Sequence, residues 1–95
     1  MAISFQDFQA AALARGFDEV LVRHWSPNQV VDEHRHSFTA DALVVAGEMW
    51  LIEADGTRHL RPGDTFALPP DTPHSERYGD CGATYWVARR NKTSA

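Results

Sequence analysis

Residues 28–36 read Asn28-Gln29-Val30-Val31-Asp32-Glu33-His34-Arg35-His36, and residues 69–74 read Pro69-Pro70-Asp71-Thr72-Pro73-His74. Side chains two apart in a strand share a face. His34 and His36 therefore stand about 7 Å apart at Cα, and their rings can converge on one point. Neutral imidazole is the commonest metal ligand, and zinc, iron, nickel and copper all accept it. Taken alone, a His-x-His pair reads equally well as a surface or hydrogen-bonded pair.

Around these stretches the chain is punctuated at Pro27-Asn28, Gly47, Asp55-Gly56, Pro62-Gly63, Pro69-Pro70 and Gly79 to Gly82. Turn signals at ~8–12-residue intervals, between short runs of Val, Leu, Ile, Thr and aromatics, mark an all-β sandwich or barrel. The runs predict strands over 18–25, 30–36, 40–46, 48–54, 57–61, 65–68, 73–78 and 83–89. Asp55-Gly56 predicts a tight hairpin because both residues accept positive φ, and Gly79-Asp80-Cys81-Gly82 reads as another turn. Before the first strand, Ser4 stands three residues ahead of Asp7, and Phe5, Phe8, Ala12 and Leu13 follow at helical spacing. That pattern predicts a capped helix over 4–15, ending near Gly16 and packed on the barrel through Phe5, Phe8 and Leu13. No repeat or low-complexity linker divides the 95 residues, so residues 1–95 are expected to form a single domain. The polar end from Asn91 to Ala95 predicts a frayed tail.

Over residues 28–78 the sequence resembles the cupin superfamily. The first cupin motif runs glycine, five residues, His-x-His, three or four residues, glutamate, six residues, glycine. Here it begins at Asn28, continues through His34 and His36, and closes on Gly47, giving a first motif over 28–47. The second motif, over 63–78, reads Gly63, Pro69, Asp71, His74 and Tyr78 where the family has glycine, Pro-x-Gly, histidine and asparagine. Asn28 and Asp71 replace glycines, and both residue types tolerate positive φ better than most. The resemblance implies an antiparallel jelly-roll barrel of two sheets. It also implies one divalent metal ion (Fe, Zn, Ni or Mn) on His34, His36 and His74, and often a homodimer.

The motif's glutamate position falls on Ala40, which has no ligand atom. Asp41 follows it, but on an unbulged strand Ala40, Ala42, Val44 and Ala46 share one face while Asp41 points to the other. Asp41 is a candidate ligand only if a bulge reverses that parity. Glu76, two residues after His74, shares its face. It is a candidate to ligate the ion, to orient a ligand or handle a proton beside it, or to stand in water at the rim. Parity from His34 also turns Asp32 inward, and a buried acid needs a partner. His24, His59 and Cys81 lack such context and read as ordinary strand and loop residues. Leu43, Val44, Val45, Leu51, Ile52, Phe66, Leu68, Tyr85 and Val87 are the expected walls, and the inward alanines leave room for a small molecule.

With 13 acidic and nine basic residues, the formal charge is −4. That balance offers no basic field for nucleic acid, and the Lys and Arg residues are scattered except for the pair Arg89 and Arg90. The longest apolar run, Ala42 to Ala46, is far short of the ~20 residues that cross a bilayer. No signal peptide is evident and the single cysteine makes no internal disulfide, so a cytoplasmic protein is expected. Two functions stay open. One is a small metalloenzyme, such as a dioxygenase, acting on a small organic acid or diketone-like molecule. The other is a non-catalytic cupin that binds or senses a small ligand or sugar.

Overall fold

The computed structural model describes residues 3–91, so the predicted tail from residue 92 lies outside the described residues. One helix, α1 (Phe5–Ala14), precedes six strands: β1 (Glu19–Trp25), β2 (Val30–His34), β3 (Thr39–Glu53), β4 (Gly56–Leu60), β5 (Thr65–Leu68) and β6 (His74–Arg90). All pairings are antiparallel. The long strands β3 and β6 pair with each other and run through both halves of the barrel. At one end β1 and β5 flank them, and at the other β2 and β4 do. This is the expected all-β jelly roll with one short N-terminal helix.

Four of the eight predicted strands merge into two. Gly47 does not end a strand, and Gly79 to Gly82 is no chain reversal but an expansion inside β6, where the register jumps from Gly47↔Ala83 to Met49↔Tyr78. Gly47 has φ 72, and a Cβ there would collide with the Gly82 carbonyl oxygen, so only glycine lets the two long strands approach at this point. The hairpin between β3 and β4 turns on Ala54-Asp55, one residue earlier than predicted. Glu53 pairs with Gly56, which alone takes the positive φ, 143°.

One further irregularity reassigns the walls in the far half of β3. The register shifts by one residue between Val44 and Ala46, so the buried positions of β3 change from even (Ala40, Ala42, Val44) to odd (Met49, Leu51). Ala46 is accordingly exposed, not inward. Leu43, Val45 and Ile52 are only half-buried, on the face opposite the core. The core holds Val44, Met49, Leu51, Leu60, Phe66, Leu68, Tyr78, Tyr85 and Val87. Burying side chains of this size contributes about 1.5–3 kcal/mol each.

Ser4 caps α1 as predicted, its hydroxyl accepting from the Asp7 amide at 3.0 Å. The helix ends in a Schellman arrangement: Gly16 has φ 92, its amide donates to Leu13, and the Phe17 amide donates to Ala12. Phe5 and Phe8 pack on Trp86, with ring centroids 5.5 and 5.8 Å away. Leu13, however, is 47% exposed, and Ala12 instead is buried with Phe17 and Ala88. The helix thus rolls toward its Ala12 side, where a small residue permits close approach to β6. No described helix is long and apolar enough to cross a membrane.

Candidate metal centre

The inner face of the half built from β2, the start of β6 and the end of β3 carries the polar residues. His34 ends β2 directly opposite His74, the first residue of β6. His36 lies two residues beyond the strand. Its carbonyl accepts from the Asp71 amide at 2.6 Å, which ties it to the turn before β6. That turn depends on Asp71 at φ 61, and the one entering β2 depends on Asn28 at φ 59. These two replacements of motif glycine are the only non-glycine residues at positive φ among the described residues.

The three histidines therefore meet. One ligand atom from each of His34, His36 and His74 lies within 4.8 Å of the others. His74 is buried and the other two half-buried. Ring centroids are 4.3 Å apart for His34 and His74, 4.7 Å for His34 and His36, and 5.3 Å for His36 and His74. Two of the rings are oriented from behind. Nδ1 of His34 is 2.8 Å from the Asp32 carbonyl oxygen, and Nδ1 of His74 is 2.9 Å from that of Thr72. A carbonyl only accepts, so each Nδ1 carries the proton and each Nε2 keeps its lone pair. His36 stacks on Phe38 at 4.6 Å. Burial, then the neighbouring His34 and His74 and the charges of Arg89 and Arg23, push its pKa below the usual 6.5, which holds it neutral as a ligand requires.

Glu76 is 4% exposed on the same face. One carboxylate oxygen accepts from the Tyr78 hydroxyl at 2.5 Å. The other lies 3.6 Å from Nε2 of His34 and 3.9 Å from Nε2 of His74. Burial, followed by Tyr85 and the Glu76 charge, raises the Tyr78 pKa far above its usual value. Burial and Glu76 push Tyr85 up to about 12. Both phenols thus stay protonated at neutral pH, and Tyr78 fixes the carboxylate by donating to it. Trp25 stacks on Tyr78 at 5.0 Å and holds that phenol in place.

The remaining candidates stand elsewhere. Asp41 is on the outer face, its carboxylate 3.1 Å from the Arg15 guanidinium, because β3 pairs with β6 without a shift from Thr39 to Val44. Asp32 is exposed, contrary to the parity reading. A register shift between Val31 and His34 breaks the alternation, so Val31 faces the core and Asp32 supplies only its carbonyl. His24 bonds Thr84 at 2.9 Å, and His59 stacks on Trp50 and pairs with Glu48 at 2.8 Å. Cys81 is exposed. Tyr78 and Arg89 are the functional candidates the sequence reading missed. Continuing the inner-face parity from His74 and Glu76 reaches Tyr78, and continuing it from Tyr85 and Val87 reaches Arg89.

A cavity of about 30 Å3, room for roughly two water-sized groups, opens among His36, Phe38, Ala40, Glu76, Tyr85 and Arg89. Phe66, Leu68 and Val87 close its apolar side.

A family model described as AraC-like ligand binding domain matches residues 16–91. The H2HPP isomerase of Bacillus subtilis is 34% identical over 64 residues, which cover 66% of this chain and 27% of that protein. Among solved structures, a DMSP lyase from Ruegeria pomeroyi DSS-3 is similar with a TM-score of 0.71 at 23% identity, covering 80% of this chain and 39% of that one. A salicylate 1,2-dioxygenase from Pseudaminobacter salicylatoxidans has a TM-score of 0.68 at 24% identity, covering 74% of this chain and 21% of that one. The likeness to these two structures is one of fold. The chain spans about a quarter of the length of the curated relative.

Proposed function

We infer the function from one premise: this chain belongs to the AraC-like ligand-binding domain family, and its fold is that of a cupin. We propose that it holds one divalent metal ion (Fe, Zn, Ni or Mn) on His34, His36 and His74 and is a small metalloenzyme acting on a small organic acid or diketone-like molecule. The observation that carries the proposal is the convergence of three imidazole nitrogens within 4.8 Å, with Nε2 of His34 and His74 left free by backbone carbonyls. When bound, an ion on three neutral imidazoles stays net positive and keeps open positions, so it polarises a coordinated anion or water.

The chain's own residues supply the rest. Glu76, anchored by Tyr78, is placed to accept or return a proton beside the imidazoles. Phe66, Leu68 and Val87 keep bulk water from one side of the cavity. The partial likeness to an isomerase is compatible with an enzyme, while the lyase and the dioxygenase share only the fold, so the reaction class stays open. A second reading, a non-catalytic cupin that binds or senses a small ligand or sugar, is favoured by the family's description as ligand-binding. In either reading residues 1–95 act as one cupin domain of a cytoplasmic homodimer, with neither nucleic acid nor membrane as partner.

Elemental analysis of untagged protein tests the metal reading. It predicts about one ion per chain in the wild type and little in His36→Ala, with far-UV circular dichroism unchanged. Equal metal in both proteins would remove His36 from the ligand set. Mass spectrometry of small organic acids and diketones incubated with the metal-loaded protein separates the two functions: new products mark the enzyme, and unaltered ligands bound at one per chain mark the sensor.

A further inference from the structure

Arg89 and Arg90 are neighbours in β6, yet they do opposite things. Arg90 points outward and donates to the Arg15 and Gly16 carbonyls at the end of α1, at 2.7 and 3.3 Å. Arg89, on the inner face after Tyr85 and Val87, lines the cavity beside His36, His74 and Glu76. Across the strands it faces Glu19 on β1 and Ala40 on β3. Ala40, a methyl group where a longer side chain would fill the space, leaves the guanidinium open to the cavity.

Among the described residues Arg89 lacks a satisfying partner. Its nearest carboxylate, Glu19, is 3.7 Å away with a side chain 47% exposed, an ion pair that water screens. Its Nε is buried and has no hydrogen-bond partner among the described residues. A buried guanidinium donor is normally satisfied, and the planar fork fits a carboxylate at two points. Phe38 lies 4.6 Å from the guanidinium carbon and also stacks on His36, so the two groups are held on one aromatic ring. A second guanidinium, Arg23, stands on the inner side of β1 opposite Tyr85. Glu76, the acid among the described residues lining the cavity, is already engaged by the Tyr78 hydroxyl. Among the described residues that line the cavity, Arg89 is thus the one guanidinium and Glu76 the one carboxylate, and the two are not paired with each other.

We propose that Arg89 is the carboxylate anchor of the cavity. The ligand is a small carboxylate that lays its carboxylate on the Arg89 guanidinium and turns a second oxygen toward His34, His36 and His74. The second contact rests on the metal reading; the first does not. Among the ligands left open by the sequence, this anchor favours the organic acid over the neutral diketone or sugar.

The test uses cobalt(II)-loaded protein titrated with pyruvate and with acetylacetone, which carries no carboxylate, followed by the visible cobalt spectrum. Charge-assisted hydrogen bonds of this kind predict a loss of about ten- to hundredfold in pyruvate affinity for Arg89→Gln. Cobalt content and acetylacetone affinity should be unchanged, with part of the pyruvate affinity restored in Arg89→Lys. Unchanged pyruvate affinity in Arg89→Gln would overturn the proposal. So would an equal loss for both probes, since Arg89 would then only support the fold. A wild type that takes up no cobalt sinks the metal reading instead. In that case calorimetry with pyruvate on the wild type and Arg89→Gln decides the role of Arg89 by itself, a tenfold difference supporting it and equal affinities refuting it.

Discussion

Strands β2 and β3 both carry an acidic residue close to the histidine motif, and neither side chain reaches the histidines, for opposite reasons. In β2 the register slips between Val31 and His34. Without that slip, residues three apart would face opposite ways, and either Val31 or His34 would leave the interior. With it, Val31 packs on the core, His34 faces His74, and Asp32 is left outside. In β3 the ladder runs without a shift from Thr39 to Val44, so Asp41 alternates outward between buried Ala40 and Ala42. The irregularity comes only afterwards, between Val44 and Ala46, where it re-aims the rest of the strand. Alternation is thus a sound guide up to the next bulge and misleading beyond it.

The largest expected effect sharpens this contrast on the far side of the β3 bulge. Leu51 is wholly buried by the reversed parity, while its neighbour Ile52 is half-buried on the other face. Leu51→Ala should cost about 2–5 kcal/mol, and Ile52→Ala less than half of that. Urea-unfolding midpoints of the two variants compare them directly. Similar losses would mean that the parity of β3 does not reverse.

A smaller effect belongs to the regular part of the same strand. Asp41 pairs with Arg15, whose side chain is 53% exposed, across the gap between β3 and α1. Exposed pairs of this kind contribute about 0–1 kcal/mol. Asp41→Ala should therefore lower the thermal midpoint by only a few degrees and loosen α1 first, read as faster hydrogen exchange in residues 5–14. A collapse of the whole barrel would show that Asp41 does more than hold the helix.

The same distinction explains how much was legible in the sequence. The fold class, the helix with its Ser4 cap and the three converging histidines rest on local signals: turn spacing, capping chemistry and the two motifs. Asn28 and Asp71 illustrate why, since positive φ at those positions is a backbone requirement that Asn and Asp meet in place of glycine. The expansion at Gly79 to Gly82 was not legible, because a Gly-Asp-Cys-Gly run serves equally for a turn and for a bulge inside a continuous strand. Ala46 and Ile52 were misassigned through the one-residue shift, which leaves no compositional mark, whereas Leu43 and Val45 stand on the outer face that unbroken alternation already gives them and were misassigned on hydrophobicity alone. Leu13 was misassigned because helical spacing does not say which side of an apolar stripe lies deeper. Tyr78 and Arg89 needed only the inner-face parity carried further along β6.

The most direct measurement is the metal content of Asp41→Asn and Glu76→Gln beside the wild type, each purified without a tag. A centre of three histidines, with Asp41 on the outer face, predicts that Asp41→Asn retains the wild-type stoichiometry of about one ion per chain. Glu76→Gln should also retain it, because the Nε2 lone pairs of His34 and His74 are oriented by the Asp32 and Thr72 carbonyls rather than by Glu76. If Asp41→Asn empties the site while Glu76→Gln does not, the start of β3 carries a bulge, Asp41 is the fourth ligand, and the three-histidine account is wrong.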